Sequence, residues 1–459
     1  MSHLSPTTLR RRFDDFWFAT AGATDLGFSR LLFFALVLAF HLRLDVSALA
    51  DAPGQMWWPT GMFKHLHLGV AGYDTLAILQ AVWKVSLVLA CIGLFTRASV
   101  LTAAILGAYL LGLPHNFGKA NHSDAVLIFS MLILACSRCG DAWSLDQLLR
   151  WARERGPLDG LRLDASGEYR WPIRMIWVVG CLVFFAAGFA KLYHSGLHWG
   201  TAGRLSGLLL SHQYSHRPLS TLGLHLADHL WLEHVIGAGT LICETLLPLA
   251  LFSRRARMLL VPAAFFMQLG IGLFMGVWFT QFFAIYIFWL PWAALLSRIR
   301  RALTTRAPRQ RLAVLYDGSC GLCQSVIRLL RFQDPLRRLK RFDVRTDWAK
   351  LSARFPHLDR ERCMIDMYVV APDGSTAYGF DGYRQIARRV PAWWPIVPLL
   401  YLPGVAWVGR RVYRRIADRR FDAGCALPTT APPAPPPVSP IEHVHPNADR
   451  VPPVLPPAR

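Results

Sequence analysis

The stretch Phe184–Trp199, FFAAGFAKLYHSGLHW, decides how the chain is read. An apolar run rising from Pro172 ends here and delivers Lys191, followed closely by Tyr193, His194, His198 and Trp199. An ammonium at the rim of hydrocarbon is costly to desolvate, which favours the neutral amine and therefore a base. The same position suits an anchor whose ammonium snorkels to the headgroups. Both readings place a membrane helix before the lysine.

The whole composition agrees. Across 459 residues the chain is 53% hydrophobic with a mean hydropathy of +0.30, too apolar for an ordinary soluble enzyme. Apolar windows predict about eight spans, near Ser29 to Leu44, Tyr73 to Phe95, Ala98 to Leu113, Ser123 to Cys136, Pro172 to Ala190, Leu230 to Phe252, Met258 to Gly276 and Phe279 to Leu296. The opening residues, 1–28, carry Arg10, Arg11 and Arg12 without an apolar core before a cleavage site, so they read as a cytoplasmic segment and not as a removable signal. The net charge of +21 comes from arginines beside the spans and in the C-terminal third. That distribution speaks for topology and attraction to anionic membrane lipids, and against nucleic acid as the partner.

Alternate connections are basic: Arg97, then Arg138 with Arg150, then Arg254, Arg255 and Arg257, then Arg298, Arg300 and Arg301. By the positive-inside rule the protein is a multi-pass component of the cell membrane with both termini cytoplasmic. Lys191, the Asn121–Asp124 turn and the segment from Leu192 to Asp228 then share the other side. Histidine pairs there, His194/His198, His212/His216 and His225/His229, have the helical spacing of a metal site, but no pair comes with further ligands and no metal is expected. Two charges fall within spans, Lys84 and Glu244. They read as an ion pair with each other, as a neutral carboxylic acid at Glu244, or as part of an active cavity.

FAAGFAKLYHSGLHWG resembles the AG-x-x-KL…W stretch of vitamin K-dependent gamma-glutamyl carboxylases and their bacterial relatives in the HTTM (horizontally transferred transmembrane) family. NHSDAVLIFSMLILACSRCGDAWSLD resembles that family's N-H-S…W-S-[LV]-D segment. The resemblance assigns residues 29–300 to a carboxylase-like membrane domain. It implies Lys191 as the base that deprotonates a quinol and His122 as an active-site partner, with Glu244 and Trp199 at the cofactor. Gln268 stands where relatives often have histidine, and the large substrate-binding portion of the animal enzymes has no counterpart. The implied remainder is a cavity for a quinone, quinol or other lipid-like reactant, with quinol-dependent peptide carboxylation as one alternative and a transporter or anchor as another.

After a basic linker, residues 301–311, the composition becomes that of a soluble domain, 312–425. RLAVLY (311–316) reads as a buried strand, DGSCGLC (317–323) as a turn, and Gln324–Phe332 as a helix; further strands follow near Leu339–Val344 and Met364–Ala371, then a helix over Asp381–Arg389. This is the order of a small α/β thioredoxin-like unit. A C-x-x-C at a helix start places the first sulfur against unpaired N–H groups and the positive end of the dipole, which stabilise a thiolate. Cys320 is therefore expected to attack and Cys323 to resolve the mixed disulfide, so that the pair is a redox-active disulfide that exchanges with a peptide or protein thiol substrate. Zinc would need a second ligand pair, which Cys363 and Cys425 do not make. Asp317 serves either proton transfer to Cys323 or capping of the turn. YDGSCGLC and the following YGFDGYRQIARRVPAWWPIVPLLYLPG closely resemble the DCC family of thiol-disulfide oxidoreductases, named for D-x-x-C-x-x-C.

Three segments complete the chain. Pro391–Val408 is apolar but broken by prolines, and reads as packed on the redox domain or lying at the membrane surface in preference to a ninth span. Cys136 and Cys139 close a helix instead of opening one and read as incidental. The proline-rich tail, 426–459, is expected to be disordered.

Overall fold

A computed structural model describes residues 6–118, 124–153, 164–200, 203–215, 221–305, 311–334 and 336–422. The proline-rich tail and His122 lie outside the described residues.

Among the described residues, five helices are long and apolar enough to cross a membrane: Ala23–His41, Tyr73–Ile92, the helix within Thr96–Asn116, the one within Gly167–Gly200, and Arg254–Met275. Counting two bent pairs as spans raises this to seven. The difference from the eight windows has local causes. Ser123 to Cys136 yields only Ala125–Ala135, roughly 16 Å of helix, about half a hydrocarbon core. Pro248 divides Leu230 to Phe252 into Leu230–Leu246 and Leu249–Phe252, because proline supplies no N–H and clashes with the preceding turn. Pro291 lies in the break between Thr280–Trp289 and Trp292–Ala302, which meet at 72°. The first span begins at Ala23, inside the segment read as cytoplasmic, and carries Arg30 into the protein.

Arg30 is fully buried and ties three elements together. Its guanidinium donates to Ala90 O at 2.7 Å and to Trp143 O. Gly93, with φ +70°, leaves it room: a Cβ there would lie 2.3 Å from an Arg30 nitrogen. Nearby, Asp146 accepts from the N–H groups of Phe95 and Thr96, and Tyr169 donates to Asp141 at 2.9 Å. These bonds gather the arginine-bearing connections at one end of the bundle. From there the helix Trp171–Ser195 runs about 30 Å before it reaches Lys191, at the opposite end.

The C-terminal unit contains a four-stranded sheet in the order β2-β1-β3-β4: β1 (Leu312–Tyr316), β2 (Leu339–Asp343), β3 (Tyr368–Val370) and β4 (Thr376–Tyr378). β1 pairs parallel with β2 and antiparallel with β3, which pairs antiparallel with β4. Every residue of β1 is buried. With a side-chain period of two, Leu312, Val314 and Tyr316 pack against Ile327, Leu330 and Ile386, while Ala313 and Leu315 face Leu351, Cys363 and Met364. Both faces are therefore covered, which explains a continuous apolar run where a one-sided strand would alternate.

The segment read as packed or interfacial, Pro391–Val408, folds back on the redox unit. Helices Pro391–Leu400 and Val405–Asp418 meet at 114°, and both arms pack on Gly379–Arg389. The redox unit also meets the bundle, where Gly321–Gln333 packs on the amphipathic helix Leu145–Arg153. That helix belongs to the arginine-rich end.

Candidate functional site

The CxxC loop is built from carboxylates. β1 ends at Tyr316, and Asp317 turns the chain: its Oδ1 accepts from Ser319 N at 3.0 Å and Ser319 Oγ at 2.8 Å, while its carbonyl accepts from Cys320 N at 3.2 Å. This is the capping arrangement anticipated as one of two roles for Asp317. Arg345, on the loop after β2, donates from Nε to Asp317 Oδ1 at 2.7 Å. Burial works to raise the Asp317 carboxyl, but the bonds from Arg345 and Ser319 outweigh it and hold the group below its ordinary value. Asp343 holds the loop from the other side, accepting from Gly318 N at 3.0 Å and Arg345 N at 2.9 Å. Only glycine fits at 318, since a Cβ there would lie 1.8 Å from Asp343 Oδ2. Neither Asp343, at the end of β2, nor Arg345, on the loop that follows, is legible from the local sequence, because both reach the CxxC loop from a distant part of the chain.

Cys320 is the N-cap residue of Gly321–Gln333, the position expected to favour a thiolate. It is wholly buried, whereas Cys323 is half-buried and lines an open cavity of about 920 Å³. The walls are apolar: Leu322 and Val326 beside the sulfur, Trp407 and Val412 from the folded-back helix. Tyr383 and Tyr413 stand at the same cavity. Burial, Tyr413 and Cys323 all raise the Tyr383 hydroxyl, so it stays a neutral donor. Cys363 belongs to the other face of the sheet, where burial pushes its thiol up to about 12 and keeps it inert.

At the far end of the bundle three residues singled out separately come together. Lys191 Nζ donates to both oxygens of Glu244, at 2.5 and 2.6 Å, and lies 4.9 Å from the Trp199 ring centroid. Gly188 lets the helices approach, its missing Cβ being 2.9 Å from Glu244 Cβ. All three side chains line an apolar cavity of about 590 Å³, continued by Leu208, Phe266 and Phe274. The pairing of Glu244 with Lys84 is corrected: Lys84 Nζ donates instead to Leu42 O at 3.0 Å and Leu44 O at 2.9 Å. Gln268 is buried. Two residues after His122 in the sequence, Asp124 accepts from Gln281 at 2.5 Å and pairs with His115 at 3.2 Å.

In two of the histidine pairs one ring bonds a carbonyl one turn earlier in the chain. Nδ1 of His212 lies 2.8 Å from Leu208 O, and that of His229 2.9 Å from His225 O; His216 falls outside the described residues. Among the described residues no group of three or more His, Cys, Asp or Glu side chains is gathered as a metal site. Cys139 is buried and Cys136 exposed at the end of their helix.

Searches of curated proteins and of solved structures found no match. Residues 314–426 match the family model of the DCC1-like thiol-disulfide oxidoreductases, a span that includes both cysteines and the walls of their cavity. Behind a helical, membrane-like region, the chain thus carries a DCC1-like thiol-disulfide oxidoreductase domain.

Proposed function

We propose that the protein is a membrane-embedded thiol-disulfide oxidoreductase whose Cys320/Cys323 pair exchanges with apolar disulfides, such as those in hydrophobic protein segments. The cavity beside Cys323 carries this reading, because its lining offers a substrate apolar contact with few polar groups. In the reducing direction, one sulfur of the pair attacks a substrate disulfide and expels one thiolate, which takes up a proton. The second then attacks the mixed disulfide, forming the Cys320–Cys323 bond and releasing the other substrate thiol. Two electrons pass from the dithiol to the substrate. Exposure favours Cys323 as the sulfur a substrate meets first, although the helix start favours Cys320 as thiolate. The strand order β2-β1-β3-β4 with a CxxC helix after β1 supports a thioredoxin-like fold. The docking of the CxxC helix on Leu145–Arg153 supports a cytoplasmic redox domain, on the side that the arginines assign to both termini.

A second site is supported by the meeting of Lys191, Glu244 and Trp199 in one apolar cavity. We read it as a binding place for a quinol or other lipid-soluble reactant with an ionisable head. Lys191 and Glu244 would hold or move its proton, and Trp199 would orient its ring. The two sites lie at opposite ends of the bundle, so they act separately. The experiment is a rate measurement with an apolar aromatic disulfide against a charged one of equal reactivity, on wild type and Trp407→Asp. Wild type should prefer the apolar substrate and the variant should lose the preference; equal rates in wild type would remove the basis of the reading. For the second cavity, mass spectrometry of lipids copurified with wild type and Lys191→Ala should show a quinone lost from the variant.

A further inference from the structure

A third cavity, of about 920 Å³, opens at the arginine-rich end of the bundle; Phe266 stands between it and the Lys191 cavity, lining both. Arg170, Arg174, Arg254 and Arg257 line it. They are brought together by two long helices that begin there, Trp171–Ser195 and Arg254–Met275, whose positive ends add to the charge. Arg174 lies against Phe16 and Trp177, at 4.9 and 4.5 Å from the ring centroids, and Arg257 against Trp177 at 4.4 Å. Backbone carbonyls fix the guanidinium groups: Arg170 donates to Ala19 O at 2.9 Å, Arg174 to Leu251 O at 3.3 Å, and Arg257 to Ala250 O at 2.9 Å. Each such bond uses one of five N–H donors and neutralises no charge.

The arginines repel one another: Arg174 feels Arg257 and Arg170, and Arg257 feels Arg170 and Arg254. The carboxylate in the lining is Asp25, whose Oδ1 already accepts from Ala293 N at 2.7 Å. Arg254 is exposed and the other three are half-buried, so four cations of like sign, gathered beside one carboxylate that is already engaged, attract an anion. A second observation points the same way. The Tyr286 hydroxyl, also in the lining, is buried without a hydrogen-bond partner among the described residues. The Tyr286 ring packs on that of Phe265, 5.4 Å between centroids, and Val261 and Phe283 also line the cavity. The cavity therefore offers cations at its head, an apolar body, and one donor along the body.

We propose that this cavity binds one anionic phospholipid, its phosphate on the four arginines and its ester region and chain along Phe265 and Tyr286. Bidentate arginine contacts suit a phosphate, and the Tyr286 hydroxyl is placed to donate to an ester carbonyl. The lipid would join the first turns of the two long helices, and so stabilise the end of the bundle on which the redox unit docks.

The test uses the full chain in nanodiscs and in detergent. Native mass spectrometry counts bound phosphatidylglycerol against phosphatidylcholine of the same chains, and thermal unfolding is followed with each lipid and with inorganic phosphate. Expected results are one tightly held phosphatidylglycerol, a higher unfolding temperature with that lipid, and little effect of inorganic phosphate. Arg174→Gln/Arg257→Gln should weaken binding at least about tenfold. Tyr286→Phe should weaken it by roughly a few fold, consistent with one neutral hydrogen bond. Should the double variant fail to fold, Arg254→Gln, at an exposed position, gives the same comparison. Equal retention of the two lipids by wild type, or unchanged phosphatidylglycerol binding in the arginine and Tyr286→Phe variants, would overturn the proposal. Inorganic phosphate stabilising as strongly as the lipid would also overturn it, and would leave a free-anion site.

Discussion

Replacing Glu244 by glutamine leaves the Lys191 ammonium without its counter-charge while keeping the shape of the cavity wall. Both contacts are short, 2.5 and 2.6 Å. Breaking one half of a buried ion pair costs about 3–5 kcal/mol. Here the Glu244 side chain is 7% exposed but Lys191 is 24% exposed. Solvent and the Trp199 face take up part of the loss, so about 2–3 kcal/mol is expected. Lys191→Met should cost a similar amount by stranding the carboxylate. The double substitution removes both charges together and should be milder than the sum by about 2 kcal/mol. Equilibrium unfolding in mixed micelles, titrated with a denaturing detergent, gives the four stabilities of the cycle. Gly188→Ala probes the same contact by geometry, since the new methyl meets Glu244 Cβ at 2.9 Å and Thr245 N at 3.1 Å. It should destabilise by about 1–3 kcal/mol. Additive single substitutions, with no coupling term, would refute the view that these groups act as one buried unit.

The redox loop is open to equally direct tests. Gly318→Ala drives a methyl into Asp343 and should abolish most disulfide turnover while costing about 1–3 kcal/mol of stability; turnover near wild type would show that the loop does not need that carboxylate. Asp317 has a folded-state carboxyl below its ordinary value of 3.8, so its contribution is fully present above that value and is lost as pH falls through the lower, folded one. The unfolding temperature of wild type should therefore fall more steeply below about pH 4 than that of Asp317→Asn, which lacks this titration. Parallel acid profiles would contradict it. With Cys320→Ser, an apolar disulfide should leave a stable adduct on Cys323, detectable by intact mass; an adduct that accumulates on Cys320 in Cys323→Ser alone would assign first attack to the buried sulfur instead.

What the sequence revealed follows the range of the forces involved. The run at β1, the turn at Asp317 and the helix after Cys320 are set by neighbours within a few residues, and each was legible from spacing and residue type. Helix breaks were less so, because a hydropathy window counts apolar residues across Pro248 and Pro291 without registering that the backbone turns there. The role of Arg30 cannot be read from its neighbours in sequence. Its acceptors, Ala90 and Trp143, come from distant connections. The partner of Glu244 was hidden for the same reason: the sequence leaves a pair with Lys84, a neutral acid and a place in an active cavity all open, and only the packing of Trp171–Ser195 on Leu230–Leu246 brings Lys191 to it. Lys191, Glu244 and Trp199 were each recognisable by type, but their meeting in one cavity was not.

The most direct test of the account is disulfide turnover by the full chain in nanodiscs, measured with an apolar aromatic disulfide on wild type and on Cys320→Ser/Cys323→Ser. The account predicts turnover by the wild type that disappears in the double variant and persists in Lys191→Ala. Turnover that survives loss of both sulfurs would contradict it.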